Sequence, residues 1–280
     1  MKIYFAGVDA IYEIDAVSDV GVKYALTSYE KWRRTDLLKF NNTNYGKFTS
    51  VIVDSGLFSY LWGNKSHIAY DKDFYYNYLD NYSKFIEGSR FENMRFVELD
   101  VQEKLGVDFA WELREKLVGR FGKSKIINVC HEIDGDPTSL IEYADYLAVG
   151  INQRLKKYGR EYIYKYIDFI YKKALTSNTK VHLLGVTRPA DLYMCWGATS
   201  CDSTSWLAKW IYGNYKTHNF FSGKGSYLDV KSTYELKSLL KNIELSKNII
   251  FRDSIAYRMT YYAAYTAYLY YQSIDPNSVT

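Results

Sequence analysis

Three aspartates sit where short apolar runs stop, a place where a carboxylate is costly unless it has work to do. Asp54 closes SVIVDSG (50–56), Asp100 closes RFVELDV (95–101) and Asp202 closes ATSCDSTS (198–205), while His131 and Glu132 end KIINVCHE (125–132). Two carboxylates suit glycosyl chemistry. One attacks the anomeric carbon and holds a covalent sugar intermediate, and the other shuttles a proton to the departing group. The oxocarbenium-like transition state is cationic, so a nearby carboxylate stabilises it. A third carboxylate can accept from the N1–H and 2-amino donors of a guanine-like base. A purely structural alternative exists for each acid, since an Asp after a strand often caps the next helix. Spacing alone does not separate base exchange from sugar hydrolysis.

The elements that must position these residues alternate along the chain. Eight β-type runs occur: 2–9, 22–29, 50–56, 95–101, 125–132, 145–151, 180–186 and 198–205. Several are almost continuously apolar, as parallel strands covered on both faces are. Helical patterns lie between them. In EYIYKYIDFIYKK (161–173) Ile163, Ile167 and Ile170 share a face, and VDFAWELREKLVGRFG (107–122) ends at a C-cap glycine, Gly122. Arg188-Pro189-Ala190-Asp191 reads as a helix start. The alternation predicts a (β/α)8 TIM-type barrel over residues 1–206, with a doubly wound open sheet as the runner-up. Residues 207–280 read as a helical, Tyr-rich extension packed on the barrel, with a ninth strand-like run at 248–254 and a long Tyr/Ala helix at 255–272. In a parallel barrel the active site lies at the carboxyl ends of the strands, so all three acids are expected at one mouth.

Four segments, in order, resemble those of the tRNA-guanine transglycosylases. Val53-Asp54-Ser55-Gly56 with Phe58 resembles their D-S-G-G-(F/Y)-Q, and Tyr146-Leu147-Ala148-Val149-Gly150 their G-L-A-V-G. His182-Leu183-Leu184-Gly185-Val186 with Arg188-Pro189 and Asp191-Leu192 resembles L-M-G-V-G-x-P-x-D-L, and Cys201-Asp202 falls where that family places its nucleophile strand. The resemblance implies a (β/α)8 barrel that exchanges guanine for a 7-deazaguanine, with Asp202 as nucleophile and Asp54 as general acid/base. It implies Asp100 as the reader of the base edge and Leu147 and Ala148 as backbone contacts to the incoming base. Ser55, Gly56, Gly150 and Gly185 join the substrate site as motif residues. His131 lies near a base-contacting glutamine of the family, and a buried, hydrogen-bonded histidine is the equal alternative. The tRNA enzymes' C-x-C-x-x-C…H zinc site is missing, and Ser203-Thr204-Ser205-Trp206 replaces their basic stretch. That pattern resembles the zinc-less, DNA-modifying branch of phages and bacteria, and implies DNA rather than tRNA as polymer, with no metal or other cofactor.

Composition bounds these expectations. The 280 residues are 48% hydrophobic, enough for a substantial core, and the formal charge of +4 permits a polyanionic partner without demanding one. Candidates for a phosphate track are Arg33 and Arg34 beside Lys31, Lys156 and Lys157 beside Arg160, and Arg188; an ordinary solvated face is the alternative for each. Aromatic residues make up 18% of the chain, with 30 tyrosines, more of them at helical packing positions than placed to stack on bases. Trp206 and Tyr193 are candidates for stacking or for the core. Three cysteines without a C-x-x-C pair, no apolar run near the ~18 residues of a membrane span, and early acids in MKIYFAGVDAIYEID point to a reducing, cytoplasmic compartment. A hydrolase, a barrel that binds nucleic acid without chemistry, and a tRNA-acting enzyme are the rival expectations.

Overall fold

Parallel strands that are apolar on both faces need cover on both faces, and a closed barrel ringed by helices supplies it. The computed structural model describes residues 1–61, 70–131, 135–150, 159–186, 197–204, 206–207, 255–275 and 277–279. Its strands are β1 (Lys2–Ala6), β2 (Tyr24–Ser28), β3 (Ser50–Asp54), β4 (Met94–Val97), β5 (Ile126–Cys130), β6 (Tyr146–Gly150), β7 (Lys180–Leu184) and β8 (Ser200–Ser203). Seven lie within the eight runs, and β4 begins one residue before its run, at Met94. They pair in chain order, all parallel, and β8 closes on β1 from Lys2↔Ser200 to Phe5↔Ser203. This is a (β/α)8 barrel, and the open-sheet alternative falls.

Alternation along each strand divides the core in two. Tyr4, Ala6, Tyr24, Leu26, Ile52, Val97, Ile127, Val129, Tyr146 and Ala148 fill the bore. Their neighbours, such as Phe5, Val51, Phe96, Cys130, Leu147 and Cys201, face the helices. Those helices are α1 (Ile11–Val20), α2 (Tyr29–Trp32), α3 (Leu37–Asn41), α4 (Phe58–Leu61), α5 (Lys72–Gly88), α6 (Gln102–Leu105), α7 (Val107–Phe121), α8 (Thr138–Tyr143), α9 (Gly159–Ser177) and α10 (Ile255–Ile274). In α9 the buried residues are Ile163, Ile167, Ile170 and Ala174, the face read from the spacing, and α7 ends with Gly122 as its cap.

Much of the aromatic excess works inside this shell. Carbonyls near the strand ends run out of ladder partners, and buried side-chain donors take them. The Tyr82 hydroxyl lies 3.1 Å from the Val53 carbonyl and 3.0 Å from that of Val97, Tyr78 donates to Ser55 at 2.6 Å, and Tyr45 donates to Val8 at 2.6 Å. The Trp206 indole N–H donates to Ala6 at 2.9 Å, so this residue belongs to the core and not to a stacking platform. Behind β4 and β5, Glu98 and Arg114 form a buried ion pair of 2.6 and 2.8 Å contacts, and Glu98 also accepts from Asn128 and the Val129 N–H.

The final helix belongs to the barrel wall. Buried Ala263, Ala264 and Ala267 let α10 run close beside α1, Tyr271 meets the Phe5 ring edge-on, and the Tyr257 hydroxyl donates to Asp19 at 2.6 Å. Beyond it the Ser278 and Val279 carbonyls accept from the Ile3 and Lys23 N–H groups at the amino ends of β1 and β2. The run at 248–254 and the helix start at 188–191 lie outside the described residues. Cys130 and Cys201 are buried and not joined in a disulfide, and among the described residues no helix is long and apolar enough to cross a membrane.

Candidate active site

Asp54 is the last residue of β3, two past the bore residue Ile52, so alternation aims it into the mouth. It is not a helix cap: its Oδ1 accepts the Gly56 N–H at 2.6 Å in a tight turn. Gly56 has φ +76°, and a Cβ there would lie 2.6 Å from both Glu30 Cβ and Ser28 Oγ, so only glycine closes this turn. Burial raises the Asp54 pKa to about 6; the Gly56 N–H opposes the rise, and the charges of Asp100, Asp202 and Asp9 add to it. Carboxylates carried by four different strands therefore feel one another at one rim.

Asp202, on β8, is buried, and its Oδ1 accepts from the Gly185 N–H at 3.0 Å and from His182 Nε2 at 3.1 Å. His182 lies two residues before the bore residue Leu184 and is fully buried; its Nδ1 is 2.5 Å from Ser200 Oγ, which is hydrogen-bonded in turn to the Tyr146 hydroxyl. Among the described residues a Cβ on Gly185 would meet nothing within 4 Å.

Asp100 lies just past β4, with its Oδ1 2.8 Å from His131 Nε2. His131 is buried, and its Nδ1 lies 3.7 Å from Glu103 Oε1. Gly150, which ends β6, makes room for that ring, since a Cβ there would fall 2.3 Å from His131 Cε1. His131 is thus a buried, hydrogen-bonded histidine, the alternative expected for it.

Asp9 completes the rim. It follows β1, accepts from Thr27 Oγ1 and the Ser28 N–H at 2.9 Å each, and has a pKa raised by burial. It ended the run 2–9 as plainly as Asp54 ended its own, so the signal that could have found it was in the sequence. His182 and Ser200 gave less: polar residues inside apolar runs read as ordinary strand.

Other expected positions differ. Leu147 and Ala148 lie in the middle of β6, paired in register with β5 and β7, and the Leu147 side chain faces the helices. Their backbone groups belong to the ladder, so Gly150 is the residue of that segment that reaches the rim. Ser55 is buried with its carbonyl held by Tyr78. Arg33 is not a free phosphate ligand, because its Nε pairs with Glu30 and its guanidinium lies 5.7 Å from the Tyr60 ring centroid. Arg34 is exposed. Lys156, Lys157, Arg188, Tyr193 and Glu132 lie outside the described residues. Among the described residues no group of His, Cys, Asp and Glu could hold a metal ion.

No family model and no curated protein matches the sequence. Among solved structures, one described as native KDPGal is 13% identical, with 87% of this chain and 97% of that one covered and a TM-score of 0.45. An HpcH/HpaI aldolase from Desulfitobacterium hafniense DCB-2 is 12% identical (78% and 94% covered, TM-score 0.40). A cube-shaped, highly porous protein cage designed by fusing symmetric oligomeric domains is 14% identical (99% and 93% covered, TM-score 0.42). At these scores the likeness carries no functional argument.

Proposed function

We propose that this chain is a base-exchanging transglycosylase that replaces guanine in nucleic acid, DNA in preference to tRNA, by a 7-deazaguanine. The observation that carries this reading is the pairing of roles at the rim. Asp54 holds a proton up to about pH 6, while buried Asp202 takes both of its hydrogen bonds among the described residues on Oδ1. The guanine, the 7-deazaguanine and the DNA come from the four sequence motifs.

The nucleotide must be turned out of its stack to bring C1′ to Asp202. Oδ2 attacks C1′, the C1′–N9 bond breaks with its electrons passing to the base, and Asp54 protonates the departing guanine directly or through a water. Asp100 accepts from the N1–H and 2-amino group of the base. The incoming base then gives its N9 proton to Asp54 and attacks C1′, and Asp202 leaves. Two displacements retain the configuration.

A second reading, a hydrolase of a glycosidic bond in a neutral sugar or nucleoside, is favoured by one feature. The described rim is acidic, and Arg33 is occupied by Glu30. Incubation with labelled guanine separates the readings: label entering DNA, or tRNA, supports exchange, whereas free base or sugar without incorporation supports hydrolysis. An Asp202→Ala protein that still exchanged label would end the transglycosylase assignment.

A further inference from the structure

We infer that Tyr146, Ser200 and His182 form a one-way hydrogen-bond chain that fixes the tautomer of His182 and, through its Nε2–H, holds Asp202 by one oxygen so that the other is left to react. The second half rests on Asp202 as nucleophile; the tautomer does not.

The direction follows from counting hydrogens. Tyr146 is a bore residue at the start of β6, buried, and among the described residues its hydroxyl has one hydrogen-bond partner, Ser200 Oγ. A buried phenol hydrogen is almost always given to an acceptor, so it goes to Ser200 Oγ. Ser200 is itself fully buried and has one hydrogen to place; its other partner is His182 Nδ1 at 2.5 Å. The serine O–H therefore donates to Nδ1, which must be unprotonated. The imidazole hydrogen is on Nε2, where it donates to Asp202 Oδ1 at 3.1 Å. In the opposite direction Nδ1–H would donate to Ser200 and Ser200 to the tyrosine oxygen. That strands the phenol hydrogen in the bore, and if Ser200 accepted from both neighbours instead, its own hydrogen would be stranded.

The groups around His182 agree with a single orientation. Tyr4 from β1 meets the ring edge-on at 5.7 Å between centroids and Tyr146 from β6 at 6.3 Å, which fixes its plane. The charge of Arg95 on β4 acts on both Tyr4 and Tyr146, so a cation already lies near this part of the bore. Among the described residues Asp202 is the anion in contact, and its bonded oxygen also accepts from the Gly185 N–H. With two donors on Oδ1, the electron density of Oδ2 is the part left for C1′. His182, Ser200 and Tyr146 are positioning residues, since none need touch the substrate.

The test uses the full chain labelled with 15N-histidine, whose four histidines are few enough to assign by substitution. Long-range 1H–15N spectra are expected to show the His182 ring hydrogen on Nε2 and Nδ1 unprotonated. Tyr146→Phe keeps the ring and deletes the first donor. It is expected to mix the His182 tautomers and to lower kcat for base exchange about tenfold or more at unchanged KM. His182→Gln, whose amide N–H can reach the same oxygen, is expected to keep more activity than His182→Leu. A protonated Nδ1 in the unsubstituted protein overturns the inference whatever the variants do, as does a folded Tyr146→Phe protein with unchanged tautomer and kcat. The Nδ1-unprotonated form in a protein that exchanges no base upholds the chain and overturns the proposed reaction instead.

Discussion

Asp54 is asked to be two things, a proton donor to one base and a proton acceptor from the next, and its surroundings poise it between them. Its pKa of about 6 lies above the ordinary 3.8, so its contribution to folding is fully present below about pH 4 and lost as pH rises through about 6. Asp54→Asn is therefore expected to raise the melting temperature at pH 7–8 by about 2–4 °C while abolishing exchange, as calorimetry and label incorporation would show. In the unsubstituted protein kcat/KM should fall above about pH 6 if protonated Asp54 is the acid. Asp54, Asp100 and Asp202 were legible in the sequence because an acid that closes an apolar run is conspicuous. Tyr146, Ser200 and His182 were not, since nothing in a one-dimensional pattern says that three polar groups on neighbouring strands share a bore. Leu147 and Ala148 came from a motif resemblance and Arg33 from residue type; neither showed that the ladder of β6 and the carboxylate of Glu30 take up their hydrogen-bonding groups.

At the scale of elements the rim depends on strands that stop correctly and on what braces them. Gly150 ends β6 without a side chain so that His131 can lie over it and reach Asp100. Gly150→Ala should push the ring away, costing about 1–3 kcal/mol of stability in urea titrations and weakening base binding more than it slows chemistry. The Glu98–Arg114 pair anchors the segments leading to Asp100 and His131. Arg114→Met should cost about 3–5 kcal/mol, because it strands a carboxylate in the core; Glu98→Gln added to it should recover much of the loss. The strands themselves were readable, all eight, because continuous apolar runs bounded by polar clusters have few other uses. The runs overreached the strands at their carboxyl ends, as 2–9 did for β1, because the rim loops are built of small and apolar residues too.

At the scale of the molecule, the alternation of eight strands with helices favoured a closed barrel over an open sheet, and the β1–β8 pairing decides it. For α10 the sequence marked a long Tyr/Ala helix in an extension packed on the barrel; the contacts with α1 and Phe5 show where it sits. Removing residues 255–280 should abolish cooperative thermal unfolding, since Phe5 and the amino ends of β1 and β2 lose their partners. The tyrosines that tie the strand ends have a further consequence at high pH. Burial pushes Tyr29 and Tyr75 up to about 12, and Tyr45, Tyr78 and Tyr82 are also raised, while the same residues in an unfolded chain ionise near 10. Their stabilisation is intact below pH 10 and drains away as the solution becomes more alkaline, because each released ring is trapped as phenolate outside the fold. Base titration should thus show no gradual ionisation of these rings but a steep, collective rise in ultraviolet phenolate absorbance, coincident with loss of the helical circular dichroism.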